Sequence, residues 1–510
     1  MSSESYRYKW LALISVSLLS FTAFLDFTIV STAMPFIQAS FNASVLQLQW
    51  VSSIFIMVLS MSMIGVGKLG DIYDRRVIFY IGFIFFGIAA IGAALSLSIY
   101  WLIAFRAMQG LGAAIIVTQG AALLPQAFPK EEQHRAIGVY SAITGLGLAI
   151  GPFFGGVIIS ALGWRYIFWV NIPIIIIGLT GCMVALQAKA PQGCQEKFDW
   201  LGLVLLVIAI GCSIYGIILG EQAGWNYIHT YIYLVVGVIA FICLLVQERY
   251  HQDGLLDLSI FANPQVLLAI LTCMCAGLLT CVFLFFNPLY FKIIRHYNAA
   301  VIGLLLMAMP ICQVILSIFF ARLVKLISLT GMLFVAICFS IVGSFLNGWF
   351  SSSSPVWFIV VSLACMGVTW GVANAGCLSV VTENLPEHKA GIAIGTIFTC
   401  QNVTGAFLLA ISTVIFNQYQ VSHLKIYLEQ HQGDISTVGQ HHLSKAIADP
   451  DHAASYLHQG GGAINHLYNI FQEGFLSALH GMSWVMTAIL VLILIVAITQ
   501  IRRLKMSVGS

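Results

Sequence analysis

Residues 11–38 read LALISVSLLSFTAFLDFTIVSTAMPFIQ. A helix needs about 20 apolar residues to cross a bilayer, and this run supplies them. It contains one formal charge, Asp26, about halfway along. A carboxylate at that depth is expensive in hydrocarbon, so it should face a bundle interior or a wet cavity, either protonated or paired with a cation. A membrane carboxylate that gains and loses a proton is the simplest device for coupling transport to a proton gradient. The plainer alternative is that Asp26 lies near an interface or pins neighbouring helices by hydrogen bonds.

The rest of the chain extends this reading. Of its 510 residues, 60% are hydrophobic and 8% are charged, whereas a soluble domain carries about 25% charged residues. Such a supply cannot cover a water-facing surface, so an all-α polytopic membrane protein is expected. The net charge of +3 is small, and no nucleic-acid partner is expected. The twelve cysteines form no CxxC pair. Most, such as Cys182, Cys212, Cys243 and Cys281, lie in apolar runs and read as small buried hydrophobes, not as a disulfide framework or a metal site. The first apolar run is too long for a cleavable signal.

Fourteen apolar segments follow one another at 11–38, 48–67, 77–98, 101–125, 137–161, 166–187, 199–220, 230–247, 265–291, 300–320, 327–347, 355–381, 390–416 and 477–500. With that number, most basic connections fall on one side. They carry Arg7 and Lys9, Lys68 with Arg75 and Arg76, Lys130 and Arg135, Lys189 and Lys197, Arg249, Arg322 with Lys325, Lys389, and the tail residues Arg502, Arg503 and Lys505. The excess of Lys and Arg marks that side as cytoplasmic and places both termini there. Arg165, Lys292, Arg295, Lys425 and Lys445 are the exceptions.

Residues 417–476 form one long polar connection, rich in histidine and expected outside, in which SHLKIYLEQHQ can form a short surface helix. Its histidines are irregularly spaced and have no cysteine among them, so no metal is expected. Asn42-Ala-Ser44 is formally a glycosylation sequon. There is no GxxxxGK[ST] loop, no arginine ladder and no catalytic constellation, so neither an ATP-driven pump nor an enzyme is expected, and no cofactor.

Three further stretches can carry function. GVGKLGDIYDRR (65–76) packs Lys68, Asp71, Asp74, Arg75 and Arg76 into a tight turn. It can latch one helix bundle to another through Asp71 with Arg75 and Arg76, or be a solvated loop that sets topology. RAMQGLGAA (106–114) brings a second buried-charge candidate, Arg106, with Gln109 one turn on. Arg106 can pair with a backbone carbonyl, with Asp26 or with a substrate, or it can snorkel to the outer interface. GLGLAIGPFFGG (145–156) leaves a ridge poor in side chains at Gly145, Gly147, Gly151, Gly155 and Gly156, and Pro152 removes a backbone donor. That helix can bend or slide during transport, or simply pack closely. Trp164, Tyr166 and Trp169 then suit a headgroup layer.

Together these strings resemble the fourteen-helix drug:proton antiporter branch of the major facilitator superfamily. LDFTIVSTAMP (25–35), GKLGDIYDRR (67–76), RAMQG (106–110), GPFFGG (151–156) and WRYIFWVNIPI (164–174) occur in the family's order, followed by DWLG (199–202), LLDLSIF (255–261) and NPQ (263–265). Asp74 stands where the family has glycine and Ile72 where arginine is common; 391–410 lacks the usual arginine and paired glycines.

The resemblance implies the superfamily fold with fourteen transmembrane helices. A six-helix bundle would span 1–190, two inserted helices and a connector 191–262, and a second bundle 263–510 with the 417–476 loop. It implies proton-driven export of amphipathic toxic compounds across the inner (cytoplasmic) membrane, with Asp26 and Arg106 coupling protons, Gln109 extending their network and Asp71 latching the cytoplasmic face. Gln401 and Asn402 are polar candidates for the cavity wall. The implied partners are protons, substrates and membrane lipids, with a periplasmic adaptor and an outer-membrane channel in the two-membrane subset. The rival expectations are an exporter of one metabolite, lipid precursor or siderophore, and a non-transporting membrane sensor or scaffold.

Overall fold

A computed structural model describes residues 8–41, 43, 45–186, 198–223, 225–250, 258–297, 299–386, 389–430 and 465–508. The expectations for Arg7, the sequon at Asn42 and Ser44, Lys189, Lys197 and the histidines between 431 and 464 lie outside these residues.

The described chain is helical. In order the long elements are α1 (Lys9–Phe41), α2 (Val45–Ile72), α3 (Arg75–Ala94), α4 (Ile99–Leu123) and α5 (Gln133–Leu162). α6 is a short turn, Tyr166–Trp169, leading into Asn171–Ala185; α7 is Trp200–Ala223 and α8 is Ile228–Tyr250. α9 begins at Pro264–Leu278 and continues through a π-helical turn, Leu279–Phe283, into Leu284–Ile293. α10 is Ala308–Ile327, preceded by the short helix Ala299–Leu306; α11 is Leu329–Asn347, α12 Val356–Asn384, α13 Ala390–Gln430 and α14 Asn465–Val508. Thirteen of these helices are long and apolar enough to cross a membrane, and the bent α5 makes fourteen. Each expected apolar segment has its helix. The protein is an all-α, multi-pass membrane protein.

Local chemistry sets the ends. Ser98 accepts from Trp101 N at the start of α4, and Asn263 accepts from Gln265 N and Val266 N ahead of Pro264 at the start of α9. Both satisfy amide donors that a helix start leaves open. α5 stops at Gly163, whose φ of +100° suits a residue without a Cβ. α5 also bends by 47° between Gly151 and Phe153, where Pro152 interrupts the ladder.

Two boundaries differ from the sequence reading. The 417–476 connection is shorter, because α13 runs on to Gln430 and α14 already starts at Asn465. No glycine or proline interrupts 406–430, so nothing stops the helix where its hydrophobicity ends. Trp164 is buried against Phe41 and Phe168, while Tyr166 and Trp169 remain exposed.

The packing repeats. α1 packs on α5 and α6, α2 on α4, and α3 on α4; in the same way α9 packs on α13 and α14, α10 on α12, and α11 on α12. α7 and α8 pair with each other and touch the bundles at α2 and α13. Between the bundles the main contacts are α2 with α13 and α5 with α10, a pair that exchanges under the repeat. The outer faces are apolar: on α8, Val235, Val238, Ile239 and Ile242 are all exposed, as suits helices facing lipid tails.

Asp74 caps α3, accepting from Arg76 N at 2.9 Å and pairing with the Arg76 guanidinium at 2.6 Å. Partial burial pushes its carboxyl up, but the hydrogen bonds from the Arg76 side chain and backbone, with the Arg76 charge, outweigh burial and hold it below the ordinary carboxylate range. A folded-state pKa below the unfolded one gives stability that is present above the unfolded value and lost as pH falls. Asp74→Ala is therefore expected to lower stability by about 1 kcal/mol at neutral pH. In thermal unfolding of the detergent-solubilised protein, the gap to the unmodified chain should close as pH is lowered below about 4.

Candidate functional site

Asp26 has no exposed surface, and groups from α4 and α6 converge on it. The Arg106 guanidinium pairs with Asp26 Oδ2. Gln109 lies one turn along α4 on the same face, as i,i+3 spacing requires. Its Nε2 donates to Asp26 Oδ1 at 3.3 Å, and its Oε1 accepts from Arg106 at 3.0 Å. Asn171, at the start of the long part of α6, donates from Nδ2 to the same Oδ1 at 3.1 Å.

Arg106 is 1% exposed and has two more neighbours, both on α2. Its Nε donates to the Val51 carbonyl at 3.2 Å, and the guanidinium lies 4.2 Å from the centre of the Phe55 ring. A Cβ at Gly110 would sit 2.5 Å from the Phe55 carbonyl oxygen, so glycine there lets α2 approach α4 closely enough to place that ring. Of the roles left open for Arg106, pairing with Asp26 and with a backbone carbonyl both occur, and snorkelling does not. A buried pair repays its desolvation only when spare donors and acceptors are also satisfied; Gln109, Asn171 and Val51 do that here.

Sequence reading missed Asn171. Its only signal was an amide just before Pro173 in an otherwise apolar stretch, and a buried amide requires partners.

A second cluster joins the bundles. Asp71, in the last turn of α2, accepts from the backbone N–H groups of Gly391 at 3.0 Å and Ile392 at 2.8 Å. These belong to the first turn of α13, where amide donors are unpaired and the helix dipole favours an anion. Arg75 pairs with Asp71 and reaches the Ala122 carbonyl at 3.4 Å. Arg76 does not join this contact. It pairs with Asp74 and donates to the Leu186 carbonyl at 3.2 Å, tying α3 to α6 inside one bundle, because the α3 start turns it away from α13. Below Asp71 the two helices nearly touch: a Cβ at Gly67 would lie 2.3 Å from the Gly391 carbonyl oxygen, and one at Gly395 would lie 2.5 Å from the Met63 carbonyl oxygen.

The symmetry-related seam, α5 against α10, is also glycine-lined. Gly138 packs on the Ser317 carbonyl and Gly145 on the Gln313 amide, while Gln313 Nε2 donates to the Ser141 carbonyl at 3.4 Å. His134 of α5 lies 2.9 Å from Glu383 and 3.1 Å from Ser379 of α12. Of these residues the sequence singled out Gly145, but not His134, Gln313, Ser379 or Glu383.

The glycine ridge divides between two partners. Gly145 faces Gln313, whereas Gly147, Gly151 and Gly155 face α1 at Phe21, Thr28 and Thr32. Gly156 is not part of it: a Cβ there would meet nothing within 4 Å, since the bend carries that face outward. Asn402 lies 3.6 Å from Met63 Sδ, at the α2–α13 seam, whereas Gln401 is buried against Gly277 of α9, inside the second bundle.

Two like bundles of membrane helices, clamped together through two seams, with a charge pair sealed inside one of them, define a membrane transport protein. The family model described as Major Facilitator Superfamily matches residues 16–197 and 200–409, and the chain belongs to that superfamily. Its relatives include the multidrug resistance protein Stp of Mycobacterium tuberculosis (strain CDC 1551 / Oshkosh), 29% identical over 450 residues that make up 87% of this chain and 80% of the relative. The tetracenomycin C resistance and export protein of Streptomyces glaucescens is 26% identical over 414 residues, 80% of this chain and 76% of the relative. Among solved structures, a bacterial homologue of the iron transporter ferroportin in an outward-facing state superposes with a TM-score of 0.59 at 13% identity, covering 97% of this chain and 99% of that one. That likeness bears on the fold.

Proposed function

We propose that the protein is a proton-coupled antiporter that exports amphipathic toxic compounds across the cytoplasmic membrane by alternating access. The observation that carries this reading is the sealed Asp26–Arg106 pair with Gln109 and Asn171 around it. Drug- and antibiotic-resistance relatives support the substrate class.

Deprotonated Asp26 holds α1, α4 and α6 together through one carboxylate. Protonation removes its charge, weakens its hold on Arg106 and loosens the packing of α1 against α4 and α6. A two-state element biased by one such event can drive exchange. With most basic connections inside and both termini cytoplasmic, the Asp71–α13 contact and the α5–α10 seam lie at the cytoplasmic end. There they close the path while it is open outward. The bundles at 1–190 and 263–510 are the moving bodies, and the polar segment between α13 and α14 is the place for a periplasmic adaptor.

The test is substrate-driven proton movement in proteoliposomes. Asp26→Asn is expected to abolish the coupled exchange while leaving the folded protein in the membrane, since asparagine keeps the shape and can still accept from Arg106. Unchanged coupling in that variant ends the proposal.

A further inference from the structure

Among the described residues, Asp26 at 0% exposure and Arg106 at 1% are the most deeply buried acid and base. The other buried charges on the helices, Lys68, Arg75 and Glu248, lie within about two turns of a helix end, whereas Asp26 lies in the middle of α1. Glu383, which borders the seams there, is met by His134, and Asp71 by Arg75 and the start of α13. The interior therefore has two charge states. With Asp26 ionised the pair sums to zero; with Asp26 protonated it leaves one positive charge. Neither state is net negative.

A second observation concerns the α5, α10 and α12 junction. Gln313 Oε1, the hydroxyls of Ser141 and Ser317, and Trp370 Nε1 are buried there without a hydrogen-bond partner in the protein. These groups offer uncharged donors and acceptors beside apolar walls, and they lie where two rocking bundles part.

We infer that the exported substrate is an uncharged, hydrogen-bonding aromatic or amphipathic molecule, and that permanent cations are not carried. The inference rests on the antiport reading above. A cation entering this interior finds no counter-charge to repay its desolvation. An anion binds best beside Arg106 when Asp26 is protonated, so it travels with the proton and not against it. An uncharged molecule is compatible with both states. One acid and a neutral substrate also make exchange electrogenic: one positive charge moves inward per cycle.

The experiment uses the purified full chain in proteoliposomes with three fluorescent probes. N-phenylnaphthylamine is uncharged, anilinonaphthalenesulfonate adds an anionic sulfonate to the same skeleton, and ethidium is a permanent cation. Proton flux and probe movement are read together, with and without a potassium–valinomycin potential. The uncharged probe is expected to exchange for protons at least about tenfold faster than either charged probe. A potential negative on the side that receives protons should accelerate it. Exchange of ethidium or of the sulfonate against protons at a comparable rate, or indifference to the potential, overturns the inference and leaves antiport standing. Absence of proton movement with every probe removes the antiport reading, and the inference with it.

Discussion

Replacing Arg106 with methionine is expected to destabilise the protein by about 3–5 kcal/mol, the usual penalty for leaving a buried charge without its partner, and to abolish coupled transport. Asp26 would keep two amide neighbours, Gln109 and Asn171, at 3.3 and 3.1 Å, but lose its counter-charge. Gln109 Oε1 and the Val51 carbonyl would each lose a donor as well. Removing both charges, as Asp26→Asn with Arg106→Met, should recover most of the stability and none of the coupling. The two effects expected of the pair would thereby be separated: the fold needs matched partners, and the proposed coupling needs an acid at position 26. A double-mutant cycle on unfolding in detergent measures the coupling between them. Arg106→Lys should fall between, because a point-like ammonium cannot serve Asp26, Gln109 and Val51 at once as the planar fork does. If Arg106→Met is as stable as the parent and the cycle closes near zero, the pair is not the centre of this bundle.

The pair also shows which parts of the site could be read from the sequence. Asp26 and Arg106 stood out because a charge inside an apolar run has few physical excuses. That they meet depends on how α1 and α4 are rotated and staggered, which runs with near-uniform hydrophobicity do not encode. Asn171 was hidden for the opposite reason: an uncharged amide in such a run costs little to insert, so it raises no alarm until its neighbours are known. Arg75 and Arg76 look alike in the string DRR, yet Arg75 holds the Asp71 carboxylate that meets α13, and Arg76 ties α3 to α6. A turn of the helix, about 100° per residue, decides between them. The fourteen spans were legible because hydrophobic length is a local property. The ends of α13 and α14 were not, because a helix continues past the apolar boundary wherever no residue stops it. The same limit hid His134, an ordinary polar residue until α12 is packed beside it.

The seam between α2 and α13 gives the other large effect. A Cβ at Gly67 would lie 2.3 Å from the Gly391 carbonyl oxygen and 2.7 Å from its carbon, and both are backbone atoms that cannot rotate away. Gly67→Val therefore acts as a wedge, and overpacking of this kind costs about 1–3 kcal/mol. Gly67 faces α13 and not the interior of its own bundle, so the strain falls on the closed seam more than on the fold. A bias of that size changes the ratio of closed to open states by about 5–150-fold. The variant should hold this end of the protein apart. In a background with the native cysteines replaced, a cysteine at Thr399, which donates to the Ser60 carbonyl at 3.3 Å across the seam, reports it. Its labelling by a hydrophilic maleimide should rise by at least about tenfold, and transport should fall by a similar factor. Gly156→Val supplies the control, since a Cβ there meets nothing within 4 Å and neither readout should move. Should Gly67→Val leave both labelling and transport where they were, the close approach of α2 and α13 is a fixed joint, and opening must be sought at another pair of helices.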